Sequence, residues 1–209
     1  RLLSNGPVQT VATSDGAITL PFSGVNSTLT SLPASIVGSL TLADDTTVSG
    51  FDVSGQVTGT SVTDVTFRNN RIRNAATALQ LTGSDSIDFD NLLISGATTL
   101  GIGLTDTSAT LNQVTINNSA ANADGVRVQT TATNRSVSIT DSTINSTGTN
   151  GIALDVDVAG TGHLDLTVTD TVLRATGTGG SGLAAIVNSS GDLNLTVARG
   201  TIASHGNGL

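Results

Sequence analysis

Apolar and polar positions along this chain keep a fixed local pattern. In "VSGFDV", "FRNNRI", "FDNLLI", "LNQVTI", "ITDSTI", "VTDTVL" and "VARGTI" an apolar residue is followed two positions on by a turn-type residue, and five positions on by a second apolar residue. The first apolar column reads Val48, Phe67, Phe89, Leu111, Ile139, Val168 and Val197; the second reads Val53, Ile72, Ile94, Ile116, Ile144, Leu173 and Ile202. Between them stand Gly50, Asn69, Asn91, Gln113, Asp141, Asp170 and Arg199. Successive units are 19, 22, 22, 28, 29 and 29 residues apart. A third column, Leu79, Ile102, Val126, Ile152, Leu183 and Leu209, opens alternating stretches such as "GIALDVDV", and five of its six members follow glycine. The residue before that glycine is Asp124, Asn150 or Asn207 in three cases, giving turns in which a positive φ costs little.

Alternation with period two marks half-buried strands. Each unit therefore predicts three short strands joined by turns. A repeat length in the twenties with strand signals means a solenoid, because one rung cannot bury its inner face and stacked rungs can. Same-column strands should pair in parallel at about 4.8 Å per rung, and parallel crossovers wind right-handed. The expected fold is all-β: a right-handed, single-stranded parallel β-helix of the pectate-lyase-like kind, with about seven to nine rungs. In the stretch from Val137 to Val158, Ile139, Ile144, Ile152 and Leu154 are expected inside and Asp141 at a corner. Residues 1–37 hold all three prolines and fit the pattern less well. They are expected to cap the helix or to form irregular first rungs. Residues 38–209 form the β-helix, which is expected to continue beyond the fragment, since an uncapped solenoid exposes strand edges.

Composition supports strands over helices. All 16 acids are Asp and all 8 bases are Arg, with no Lys, Glu or Met, so strong helix formers are scarce. Aromatic residues make up 2% of the chain, so the core must be aliphatic. A net charge of −8 makes nucleic acid an unsuitable partner, because phosphate binding needs a basic stripe. No apolar run approaches the roughly 20 residues of a spanning helix, so no membrane insertion is expected. Without Cys or Lys, thiol and amine nucleophiles are excluded.

Chemistry, if present, belongs to the outward columns. The position before the first apolar column reads Thr66, Asp88, Thr110, Ser138, Thr167 and Thr196, and this column is the candidate binding face. The position after it reads Arg68, Asp90, Asn112, Thr140, Thr169 and Ala198. Arg68 and Asp90 should be neighbours on adjacent rungs, as a surface ion pair of small worth or, with Asp88, as the start of a carbohydrate or calcium site. Arg68 is also placed to neutralise Asp88. Asp155, Asp157 and Asp165 near His163 are the densest acid cluster. Calcium takes six to eight oxygens, and no Asp-rich nonapeptide repeat is present, so these acids are expected to be solvated and no metal or cofactor is expected. His163 and His205 are expected in turns. Stacked Asn69 and Asn91 should form a short amide ladder.

The repeats "TFRNNRIRNAATALQL", "TINSTGTNGIALDV" and "TIASHGNGL", with the lead-in "LTLADDTTVSGFDVSG", resemble the β-helix passenger regions of bacterial autotransporter-type adhesins, including inverse autotransporter-like ones. The resemblance covers roughly residues 38–209. It implies export to the bacterial cell surface or exterior. It also implies adhesion or cell–cell self-association, with a cell-surface protein, a glycan or a second copy as partner. Two alternatives share the fold. One is a polysaccharide-active β-helix enzyme (lyase or glycoside hydrolase) using Arg68, Asp88 and Asp90; the other, more remote, is an ice-binding solenoid using its Thr columns.

Overall fold

The structure is a computed structural model that describes residues 2–3, 9–13, 16–20 and 34–205, with side chains from Ala34 to His205. Among these residues the chain winds as a parallel β-helix with three faces. The first face stacks Thr47–Ser49, the leading halves of Thr63–Arg73 and Asp85–Ser95, then Ala109–Asn112, Asn134–Thr140, His163–Thr169 and Asp192–Ala198. The second stacks Ala34–Val37, Phe51–Ser54, the trailing halves of those two long strands, then Thr115–Asn118, Thr143–Ser146, Val172–Ala175 and Thr201–Ser204. The third stacks Leu40–Thr41, Val57–Thr60, Thr77–Thr82, Leu100–Thr105, Asp124–Thr130, Ile152–Val158 and Ser181–Val187. Within the first 37 residues, Leu2–Leu3 pair with Val48–Ser49, and Gln9–Thr13 and Gly16–Leu20 form an antiparallel hairpin. The remainder of that segment before Ala34 lies outside the described residues.

Both apolar columns of the first two faces are in register rung by rung. Val48, Phe67, Phe89, Leu111, Ile139, Val168 and Val197 are successive Cα partners. So are Val53, Ile72, Ile94, Ile116, Ile144, Leu173 and Ile202. Stacking like on like builds one continuous aliphatic core, and Phe67 meets Phe89 edge-to-face with ring centroids 6.2 Å apart. The last rung is less well covered: Val197 is 40% exposed and Val187, the partner of the enclosed Val158, 47%. Among the described residues no strand pairs on its far side.

The turn column proves to be a column of left-handed backbone. Gly50, Asn69, Asn91, Gln113, Asp141, Asp170 and Arg199 all have positive φ. Gly, Asn and Asp reach this region most easily, but Gln113 (φ 54°) and Arg199 (φ 50°) are held there too. The ladders on either side leave the corner no other path. Just past the corner, side chains turn inward and satisfy the backbone. Asn70 accepts from the Phe51 amide at 2.9 Å and donates to the Val48 carbonyl at 2.9 Å. The Ser142 hydroxyl accepts from the Val114 amide at 3.0 Å.

The third face departs from the expected alignment. Val126 pairs with Leu154, not Ile152; Ile152 pairs with Ser181 and is only half-buried. The cause is a column of minimal side chains, Gly101, Gly125, Ala153 and Gly182. A Cβ on Gly101 would strike Ile116, one on Gly125 would strike Ile144, and one on Gly182 would strike Ile202. Ala153, not Gly151, holds this position in its rung. Gly151 belongs to the preceding loop, where a Cβ would run into the Ser146 hydroxyl and the Ala123 carbonyl. Asp124 and Asn150 are accordingly not equivalent, since Asn150 stacks on Asn122 (3.4 Å). Asn207, Gly208 and Leu209 lie outside the described residues. His163 is not in a turn but opens the strand His163–Thr169.

Ile116 is fully enclosed. Ile116→Asp would strand a charge in a dry core and is expected to cost several kcal/mol, at least about 3. Ile116→Ala should cost about 2–5 kcal/mol. Denaturant unfolding followed by far-UV circular dichroism checks both; an unchanged midpoint would place this column outside the core.

Candidate functional site: the outward columns

Strand alternation turns the residue before each first-column anchor outward. Thr66, Asp88, Thr110, Ser138, Thr167 and Thr196 are successive Cα partners, so the candidate column is continuous, and Thr47 extends it by one rung. Thr66 and Ser138 are half-buried; the other four are exposed. Over its middle lies a shallow depression of about 280 Å³, lined by Asp85, Ser86, Asp88, Ser108, Thr110, Ser136 and Ser138 among others. The column's hydroxyls can each donate and accept.

The next outward column is tied along the helix axis. Arg68 and Asp90 are Cα partners as expected. Among the described residues, however, no ion pair joins Arg68 to Asp90 or to Asp88. The Asp90 carboxylate instead accepts from the Asn112 amide at 2.8 Å, and Asn112 accepts from the Thr140 hydroxyl at 3.1 Å. An amide one rung on reaches the carboxylate with less side-chain entropy to lose than a long arginine. At the corner, Asn91 donates to Asn69 at 2.8 Å, the expected amide ladder.

The acids near His163 separate onto two faces. Asp155 and Asp157 lie on the third face, where Asp155 pairs with Arg127 at 2.9 Å and Asp157 accepts from Gln129 and Asn188. Asp165 lies on the first face, accepting from Asn194 at 2.9 Å. Among the described residues no group of three or more His, Asp or Glu is arranged to hold a metal ion. His163 lies between two carboxylates instead, with Nδ1 2.9 Å from Asp192 and Nε2 3.3 Å from Asp165. A neutral imidazole has one N–H, so only the imidazolium can donate to both. Asp192 first, then Asp165, holds the His163 pKa above the ordinary imidazole value.

Two further carboxylates stand out: Asp124, which the sequence pattern marked only as a turn residue, and Asp106, which it did not mark at all. Asp124 is buried at the start of its strand, where burial pushes its carboxyl above the ordinary value against the Ile152 amide (3.0 Å) and Arg127 (2.6 Å). Arg127 spans Asp124 and Asp155, closing two rungs together. Asp106 anchors the turn after Thr130. Burial acts to raise its pKa, but the Thr131 hydroxyl and amide and the Thr133 hydroxyl outweigh it and hold the carboxyl low. The jump in rung length from 22 to 28 residues was the available signal for that turn.

A family profile described as right-handed β-helix region matches residues 43–209. The chain belongs to that family. Its β-helix is also similar to the catalytic domain of a GH87 α-1,3-glucanase solved in complex with nigerose, at 10% identity and a TM-score of 0.39. That match covers 84% of this chain and 57% of the glucanase chain, so this β-helix spans little more than half of the other structure. No curated protein matches in sequence.

The His163 bridge gives a signed pH effect. Its folded-state pKa is raised, so the pairing is fully present below the unfolded imidazole value and is lost as pH rises through the folded value. NMR titration of His163 in the protein and in Asp192→Asn should show the pKa falling in the variant. An unmoved titration would mean that the carboxylate does not engage the ring.

Proposed function

We propose that this β-helix is a display rod of a bacterial surface adhesin, with the hydroxyl column of the first face as a contact surface for a second copy. The observation that carries this reading is the unbroken register of Thr66, Asp88, Thr110, Ser138, Thr167 and Thr196 along one face. Five of the six are small hydroxyl residues, with little side-chain entropy to lose on association and one charge to repel a like surface. Two such faces in contact would make many hydrogen bonds, each worth about 1 kcal/mol or less. Repetition rather than any one contact would supply the affinity. The sequence resemblance to passenger regions supports surface display on the same footing.

A polysaccharide-active enzyme is the second reading, and the observation favouring it is the depression that brings Asp85 and Asp88 together on the first face. It would need a second carboxylate or a base poised opposite Asp88. Asp90, two residues along the strand, is engaged by Asn112.

Placing Arg at positions 110, 138 and 167 together separates the readings. If the column joins copies, self-association of the protein in sedimentation and clumping of cells displaying it should fall sharply, with the melting temperature kept. Unchanged association in a folded variant would remove this face as the contact. Release of sugar products by the parent chain, lost in Asp88→Asn, would favour the enzyme instead.

A further inference from the structure

Charge is not spread evenly around the helix. The outward positions of the second face form two columns. One reads Asp52, Arg71, Leu93, Thr115, Thr143, Val172 and Thr201; the other reads Ser54, Arg73, Ser95, Asn117, Asn145, Arg174 and Ala203. Together they hold three arginines against one aspartate, a local net of +2 in a chain of net charge −8. The single acid, Asp52, is itself buried and pairs with Arg73 at 2.9 Å. Arg71 and Arg174 are exposed, and neither is ion-paired among the described residues; Arg127, Arg135 and Arg199 each hold a carboxylate, and Arg68, exposed on the first face, lies over Asp90 in an acidic surround. The other two faces carry the acids Asp85, Asp88, Asp90, Asp155, Asp157 and Asp165.

We infer that the second face binds a linear polysaccharide in which carboxylates alternate with neutral sugars. Four rungs separate Arg71 from the row of Arg174, about 19 Å at strand spacing. The guanidinium fork matches a carboxylate in two parallel hydrogen bonds. Between the two arginines the rows are uncharged: Ser95, Asn117 and Asn145 in one column, Leu93, Thr115 and Thr143 in the other. Their hydroxyls and amides suit sugar hydroxyls, and the exposed Leu93 suits a sugar's C–H face. Widely spaced cations disfavour a densely charged polymer, whose intervening anions would face neutral rows. Duplex DNA and heavily sulfated chains need a continuous basic stripe. At the adjoining corner Asp170 is already neutralised by Arg199 at 2.8 Å, while Asp141 is the exposed acid beside it. The opposite edge, the loops at 96–99, 119–123, 147–151 and 176–180, carries no charged residue. This inference rests on the fold and on the second face alone, and stands apart from the hydroxyl contact of the first.

Hyaluronan oligosaccharides are the probe, because each disaccharide has one carboxylate and one neutral sugar. Fluorescence anisotropy at low salt would compare the parent, the double variant R71S/R174S and the first-face variant T110A/S138A/T167A, which removes hydroxyls without adding charge. Saturable binding by the parent, at least tenfold weaker in R71S/R174S, is expected. The first-face variant should bind as the parent does, even if its self-association is lost. Carboxyl-reduced hyaluronan should bind the parent as weakly as the intact oligosaccharide binds R71S/R174S. Both replaced side chains are exposed, so the melting temperature should not move. No saturable binding, equal binding by R71S/R174S, or tighter binding of heparin or duplex DNA than of hyaluronan would each overturn the inference.

Discussion

Everything else in this molecule depends on one constraint: each rung must lie in register on the next. A parallel ladder fixes the spacing at about 4.8 Å and sets each side chain directly over its same-column neighbour on the adjacent rung. Inside, that favours columns of one shape, such as Ile94, Ile116 and Ile144. Outside, it makes every polar choice a choice about a column, because a charge placed over a like charge repels over the whole stack. A shift of one residue would turn the core outward.

The charge pattern follows from that constraint. An acidic chain stacked at strand spacing would repel itself unless its carboxylates were separated or satisfied. Here Asp90 is held by Asn112, Asp157 by Gln129, Asp165 by Asn194 and Asp170 by Arg199. Each link runs between adjacent rungs, so the acids act as struts along the axis. Such links are individually weak when exposed, and they leave the hydroxyl column of the first face and Arg71 and Arg174 of the second among the side chains with capacity for an outside partner.

Much of this was legible in the sequence because the repeat is local. The two apolar columns and the left-handed corner between them are set by a six-residue motif, and each member fell in its column, including the unusual Gln113 and Arg199. The third face was harder. Its register is fixed by contact with residues on the second face rather than by a motif of its own, so a loop glycine, Gly151, could pass for the packing position that Ala153 fills. Side-chain pairing was least legible. The sequence puts Arg68 beside Asp90, and puts Asp155, Asp157 and Asp165 close together in the chain. The faces and rungs they occupy decide which of them meet, and the shorter Asn112 takes the carboxylate that Arg68 was expected to hold.

Register on the third face is therefore the most direct test of the whole account. The chain has no cysteine, so engineered pairs report without interference. Gln129 and Asp157 are outward Cα partners on neighbouring rungs, within the span a disulfide can bridge. The alternative alignment, with Val126 opposite Ile152, would place Gln129 opposite Asp155. Under mild oxidation, the pair Gln129→Cys with Asp157→Cys should cross-link nearly completely, and Gln129→Cys with Asp155→Cys should stay reduced. The reverse outcome, or equal cross-linking of both pairs, would contradict rungs stacked in the register described.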